Sequence, residues 1–180
     1  MGNLHAGHLD LVKLAKQQAT CVVVSIFVNP LQFSAGEDFE KYPRTLQEDA
    51  EQLSALGVDV LFAPDVDDVY PNGDQITQHS GPIGETFEGA ARPGHFDGML
   101  TVVGRLFDLV KPDVAVFGQK DAQQLFMVRK LAGAKFEGLE IIAAPTVREP
   151  SGLAMSSRNR YLNPAQRESA TVISKALRAV

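Results

Sequence analysis

Three features of the sequence predict an α/β fold built on a mostly parallel sheet. The runs CVVVSIFV (21–28) and DVAVFG (113–118) are almost continuously apolar and rich in β-branched residues, the pattern of strands buried on both faces. Helix-period segments alternate with strand-like segments after the first turn, as they do in an α/β sandwich. Polar constellations fall at the carboxyl ends of these strands or in the loops after them, where open α/β sheets collect ligands.

The elements follow in order. MGNLHAGH (1–8) is a glycine-bearing turn that holds His5 and His8 three residues apart. The next segment, LDLVKLAKQQA, reads as a helix, with Leu9, Val12, Ala15 and Ala19 near a 3.6-residue period. CVVVSIFV is the first strand, followed by NPLQF and a polar loop, SAGEDFEKYPR. TLQEDAEQLSALG (45–57) is a helix with both ends marked: Thr45 as cap, Glu48 completing a capping box, Gly57 as terminator. VDVLFAP (58–64) is a strand, and 65–96 is a turn-rich stretch that wraps the edge of a site. DGMLTVVGRLFDLVK (97–111) is a helix closed by Pro112, and DVAVFG the strand after it. DAQQLFMVRKLAG (121–133) is a helix, LEIIAAPTV (139–147) a strand, and REPSGLAMSSRNRYL a loop. Asn163, Pro164 and Gln166 mark the start of a last helix as cap, first turn and partial capping box.

Bulk properties narrow the classes. The 180 residues suffice for one substantial core, and 44% apolar with 22% charged residues is an ordinary globular mix. A net charge of -5 argues against a nucleic-acid surface, which needs clustered Lys and Arg. No apolar stretch approaches the roughly 20 residues that span a bilayer, and no signal-peptide pattern opens the chain. The single cysteine, Cys21, lies in an apolar run and reads as a buried, inert thiol in a reducing compartment, which predicts a cytoplasmic protein.

HAGH, NPLQ, GQKDAQQ and MSSRN describe one pocket better than four unrelated loops. A helix N-terminus offers free N–H groups and a positive dipole end to phosphate, and Gly2 and Gly7 allow close backbone approach. Imidazoles beside it can donate to phosphoryl oxygens and to charge developing on them. Taken alone, an H-x-x-H pair is read more economically as a cap of its turn. A zinc site is weaker still, because Cys21, His79 and His95 lie in no metal spacing. Lys120 follows a strand and Gly118 and can reach a phosphate, while Asp121 can cap the next helix or orient a cation. Gln124, one turn into that helix, can point back to the site. Ser156, Ser157 and Arg158 supply two hydroxyls and a guanidinium, suited to several polyphosphate oxygens. Gln32 suits a carboxylate or hydroxyl, and Glu88 with Arg92 forms a local pair or braces the site. Asp65, Asp67 and Asp68 read as a solvated turn without a calcium-loop pattern. The residues thus describe a polyphosphate-binding α/β pocket and leave the reaction open.

MGNLHAGH, SIFVNPLQF, YPRTLQEDAEQL, VYPNG, EGAARPGHFDGM, PDVAVFGQKDAQQ and LAMSSRNRYL, in that order, resemble the blocks of the pantoate–β-alanine ligase (pantothenate synthetase) family across nearly the whole chain. The resemblance implies a Rossmann-like nucleotidyltransferase domain with helices on both faces of its sheet. The domain would bind ATP and pantoate over 1–162 and lack the family's usual first strand. A helix over 163–180 would lead toward a smaller C-terminal domain outside this chain, which is thus expected to be truncated at both ends. The implied reaction joins ATP and pantoate into pantoyl adenylate and pyrophosphate. β-Alanine then attacks, releasing pantothenate and AMP. Magnesium would accompany ATP, with no prosthetic group and no metal-ligand set of the protein's own, and the complete protein would be a homodimer.

Carried onto this sequence, the ATP site would comprise Met1, Gly2, Asn3, Leu4, His5, Ala6, Gly7 and His8, then Gly118, Gln119, Lys120 and Asp121. It would continue with Val147 and with Met155, Ser156, Ser157 and Arg158. His8 takes the proton-donor position, with His5, Lys120 and Arg158 as its partners in catalysis. Gln32 and Gln124 would hold pantoate and β-alanine, and Asn29, Tyr42, Glu88 and Arg92 would support the cavity. Gln119 stands where the family often has glutamate. Two competing readings are an adenylyltransferase acting on a phosphate-bearing acceptor and a truncated nucleotide-binding domain with little turnover.

Overall fold

The computed structural model describes residues 2–33 and 39–179. Met1, assigned above to the ATP site, and residues 34–38 of the polar loop lie outside them. The chain runs through α1 (Ala6–Gln18), β1 (Val23–Ser25), a 3-10 turn at Pro30–Gln32, α2 (Leu46–Ala55), β2 (Val60–Phe62) and α3 (Val66–Val69). A 3-10 turn at Gly81–Glu85 precedes α4 (Glu88–Ala91), α5 (His95–Val110) and β3 (Val114–Gly118). A 3-10 turn at Gln119–Asp121 leads into α6 (Ala122–Lys135), then β4 (Glu140–Ala144), a 3-10 turn at Ser157–Tyr161 and α7 (Pro164–Arg178).

The strands pair in parallel, as expected of an α/β fold. Val23 lies opposite Val60 and Ser25 opposite Phe62; Val114 lies opposite Glu140 and Gly118 opposite Ala144. Parallel neighbours need a crossover, and α2 and α6 supply the two. Among the described residues no ladder joins the two pairs. The core centres on α5, where Phe96, Met99, Leu100, Val103 and Phe107 meet Val69 from α3 and Met127, Val128 and Leu131 from α6. One close approach in α5 bears on function. A Cβ on Gly98 would run into the Leu31 carbonyl oxygen, so only glycine lets α5 touch the Pro30–Gln32 turn.

Several local expectations need correction. CVVVSIFV is not buried on both faces: Val22 and Phe27 face inward, whereas Val23 is 37% exposed and the ladder covers only three residues. DVAVFG is not buried on both faces either: Asp113 is exposed and Val114–Gly118 are half-buried. Cys21 precedes the β1 ladder and is exposed rather than buried. Thr45 makes no side-chain cap and Glu48 completes no capping box; the Thr45 hydroxyl instead donates to Asp49 Oδ2 at 3.1 Å. Asp121 occupies the cap position of α6 without a capping hydrogen bond, because its carboxylate faces Lys120 Nζ at 3.2 Å. The two other marked helix ends form as read. Gly57, at φ +66°, donates to Ser54 O while Val58 N donates to Leu53 O, a Schellman stop. Asn163 and Gln166 exchange both bonds of a capping box at 2.9 Å. α7 turns Thr171 and Ser174 inward and leaves Val172, Ile173 and Leu177 exposed.

Candidate active site

The turn that carries the two histidines is held by a carboxylate from another element. Gly2 and Asn3 both adopt positive φ, +82° and +53°. This aims the backbone N–H groups of Asn3 and Leu4 at Asp49 Oδ2 and Oδ1, at 2.8 and 2.7 Å. Two successive N–H groups converging on one anion form a nest, and the anion here is a side chain of α2 that is only 1% exposed. Sequence reasoning missed Asp49. The available signal was a carboxylate in register with Leu53 and Leu56 on the apolar stripe of its helix, a position where an unpartnered charge is costly.

His5 and His8 then take defined tautomers. The Gly7 N–H donates to His5 Nδ1 at 3.1 Å, and the His5 N–H donates to His8 Nδ1 at 3.4 Å. A nitrogen that accepts carries no proton, so Nε2–H is each ring's donor. The rings stack with centroids 3.9 Å apart. Burial lowers the His8 pKa to about 4, with the neighbouring His5 acting in the same direction. Burial, and next the charge of Lys120, lowers that of His5 as well. Both imidazoles are therefore neutral hydrogen-bond donors at pH 7. The expectation of free backbone donors at the start of α1 changes accordingly: Gly7 N and His8 N both bond within the turn, the latter to His5 O at 2.8 Å.

This arrangement has a stability signature. The unfolded His8 takes up a proton near its ordinary value of 6.5, and the folded one only near 4. Stability is thus complete above pH 6.5 and falls as the pH drops through that window, by at most about 1.4 kcal/mol per unit and less where solvent reaches the ring. The His8→Gln variant, which cannot titrate, is expected to lose less stability than the wild type between pH 6.5 and 4. Urea denaturation across that range checks it, and equal losses would contradict the assignment.

A cleft of about 320 Å³ collects the four constellations. Its walls include His5, Gly7 and His8 from the start of α1, and Gly118, Lys120, Asp121 and Gln124 from the end of β3 and the start of α6. Val147, Met155, Ser156, Ser157 and Arg158 come from the loop after β4. Gln32, Tyr42 and Arg92 line the remaining side. The Arg158 guanidinium lies over the Tyr42 ring at 5.5 Å, so a largely buried aromatic fixes a cation at the rim.

Gly2, Asn3, Leu4, Ala6, Gln119, Asn29 and Glu88 do not line the cleft. Asn29 acts from behind it. Its Oδ1 accepts from Tyr70 OH at 2.8 Å and Leu31 N at 3.3 Å, while Nδ2 donates to Gly98 O at 3.1 Å and Gln32 Oε1 at 3.2 Å. Burial raises the Tyr70 pKa further, so its hydroxyl keeps the proton it donates.

Phe33, His95 and Thr146 line the cleft unannounced by the sequence reading. His95 Nδ1 is 2.8 Å from the Gln32 carbonyl and Nε2 is 3.0 Å from Arg92 Nη1. A carbonyl only accepts and a guanidinium only donates, so His95 is the neutral Nδ1–H tautomer in this geometry. A histidine at the first residue of a glycine-preceded helix was the only sequence cue. Among the described residues no group of three His, Cys, Asp or Glu could hold a metal.

Donors and cations around an open cleft fit phosphoryl chemistry, and the comparisons with known proteins narrow it. The profile of the family described as pantoate-beta-alanine ligase matches residues 1–180. The pantothenate synthetase of a Nocardioides species is 56% identical over 186 residues, covering 99% of this chain and 56% of that protein. That of Acidothermus cellulolyticus is 56% identical over 177 residues, covering 98% and 58%. The crystal structure of pantothenate synthetase from Thermus thermophilus superposes with a TM-score of 0.93 at 52% identity, over 98% of this chain and 64% of that one. The structure of pantoate-beta-alanine ligase from Francisella tularensis, complexed with beta-gamma ATP and beta-alanine, gives 0.91 at 45% identity, over 99% and 69%. The chain thus spans somewhat more than half the length of the curated relatives it matches. With a family profile matching from the first residue to the last and a fold shared at close to half identity or better, this chain belongs to the pantoate–β-alanine ligase family.

Proposed function

We propose that the protein containing this chain joins pantoate to β-alanine at the expense of ATP. The reading rests on one observation above the others: a single cleft brings His5, His8, Lys120 and Arg158 together with Gln32 and Gln124. A carboxylate is a poor acyl donor, so it must be activated. A pantoate carboxylate oxygen attacks the α-phosphorus of ATP, the bond from that phosphorus to the α,β-bridging oxygen breaks, and pyrophosphate leaves with the electron pair. Two anions meet at this step. Lys120 and Arg158 offset their charge, and the Nε2–H groups of His8 and His5 donate to oxygens that gain charge in the transition state. Neutral imidazoles suit this role, since they stabilise charge without first losing a proton. The hydroxyls of Ser156 and Ser157 are further donors to the nucleotide. In the second step the neutral amine of β-alanine attacks the acyl carbon, the amine proton is lost, and AMP departs as pantothenate forms. Gln32 and Gln124 are placed to orient the organic acid in both steps.

Magnesium arrives with ATP as part of the substrate. Asp121 is the one carboxylate among the described lining residues, and a single carboxylate plus phosphate oxygens and water is an ordinary magnesium environment. The ATP and β-alanine named for the Francisella tularensis relative support the same substrates here. A homodimer is the proposed state of the complete protein, and the cytoplasm, where an exposed thiol such as Cys21 stays reduced, its proposed location.

Positional isotope exchange in ATP, measured on the full-length protein with pantoate and without β-alanine, tests the first step. Exchange that depends on pantoate is the expected result, with pantothenate and AMP appearing once β-alanine is added. Nucleotide turnover independent of pantoate, or a dinucleotide product, would replace this reading with that of an adenylyltransferase.

A further inference from the structure

Phe87 sits in a conformation that its side chain does not favour and that its own burial does not repay. At φ +48° and ψ −117° it occupies the second position of a type II′ turn, closed by the Gly89 N–H donating to Thr86 O at 2.9 Å. Glycine dominates that position, because a Cβ there is strained by roughly 1–3 kcal/mol. The ring is 82% exposed and contributes little packing to hold the turn.

One side chain straddles it. Gln123, in the first turn of α6, donates from Nε2 to Ile83 O at 2.8 Å and to Thr86 O at 2.9 Å, and its Oε1 accepts from Glu88 N at 3.2 Å. The same amide therefore pins the backbone on both sides of Phe87. The turn leads directly to the cleft. Glu88 Oε1 meets Arg92 Nη1 at 2.9 Å, Arg92 Nη1 meets His95 Nε2 at 3.0 Å, and His95 Nδ1 meets the Gln32 carbonyl at 2.8 Å. Gln124, the neighbour of Gln123, lines the same cleft as Gln32. The first turn of α6 thus supplies Gln124 directly and reaches Gln32 through a continuous set of contacts.

We infer that Gln123 is a positioning residue, which by clamping the Phe87 turn sets Gln32 against Gln124 across the organic-acid half of the cleft. The inference rests on the assignment of that half to pantoate. Removing the clamp releases a strained turn and loosens Gln32, whereas Lys120, Arg158, His5 and His8 are held by other contacts. The effect is therefore specific to one substrate.

The test is steady-state kinetics of the full-length protein with melting measured alongside. In Gln123→Ala the KM for pantoate is expected to rise about tenfold, the scale of losing a network of backbone hydrogen bonds, while the KM for ATP and kcat at saturating pantoate stay within about twofold. Adding Phe87→Gly removes the strain that the clamp opposes, so the double variant should recover most of the lost pantoate affinity. If the alanine variant does not fold, Gln123→Glu serves: it keeps the acceptor for Glu88 N and loses both donors. An unchanged KM for pantoate, equal rises for both substrates, or no recovery with glycine at position 87 would overturn the inference while leaving the proposed function standing. A wild-type protein that makes no pantothenate would overturn both.

Discussion

Full-length protein carrying His8→Ala is expected to form the adenylate about 10²–10³-fold more slowly than the wild type, the usual effect of removing one preorganised transition-state donor. The expectation follows from the tautomer. The His5 N–H donates to His8 Nδ1, which leaves Nε2–H as a donor of defined placement, and burial keeps the ring uncharged with a pKa near 4. A ring held by its neighbour's backbone and stacked on His5 loses little freedom when the phosphoryl group arrives. Its contribution should then appear in the rate of adenylate formation and hardly at all in pantoate affinity. Single-turnover measurement of AMP transfer to pantoate, with pantoate binding measured separately, checks both parts. A His8→Asn variant, which places no N–H at the Nε2 position, should resemble the alanine variant. Wild-type rates in either variant would reduce His8 to a cap of its turn.

The second large effect is expected at a residue that touches no substrate. Asp49→Ala removes the acceptor for Asn3 N, Leu4 N and the Thr45 hydroxyl in one change, at a site that is 1% exposed. Each buried donor left without a partner costs about 1–3 kcal/mol, so a loss of about 3 kcal/mol or more in unfolding free energy is expected. Asp49→Asn preserves shape and one acceptor but aims an NH₂ at a donor, and it should fall between alanine and wild type. The start of α1 depends on this nest, so ATP affinity should decline with stability in both variants. Urea denaturation with ATP titration on the same samples tests the coupling. Unchanged midpoints in the alanine variant would show that solvent or the chain itself satisfies those N–H groups.

The helices were legible because their signals are local. Asn163 and Gln166 are three residues apart, and Gly57 ends α2 through its own backbone freedom. The same kind of signal misled at Thr45 and Glu48. There a local box was available, but Asp49 offered the Thr45 hydroxyl a stronger, charged acceptor. Strand burial was misread for a related reason. Composition reports that CVVVSIFV is apolar, but how much of Val23 or Cys21 is covered depends on what packs beside β1, and that is not a property of the run.

The sequence alone determined the parallel α/β class, the order of its strands and longer helices, and the four stretches that meet in the cleft; the short α3 and α4 lie in a stretch it marked only as turn-rich. Each feature so determined is written in residues close together along the chain. Only the tertiary structure decided that Asp49 holds the HAGH turn from 45 residues away, that Arg158 rests on Tyr42, and that His95 bridges Arg92 to Gln32. It likewise decided the protonation of the two N-terminal histidines. A pKa depends on burial and on which atoms lie within hydrogen-bonding reach, and folding brings those atoms together from segments whose spacing carries no record of the encounter.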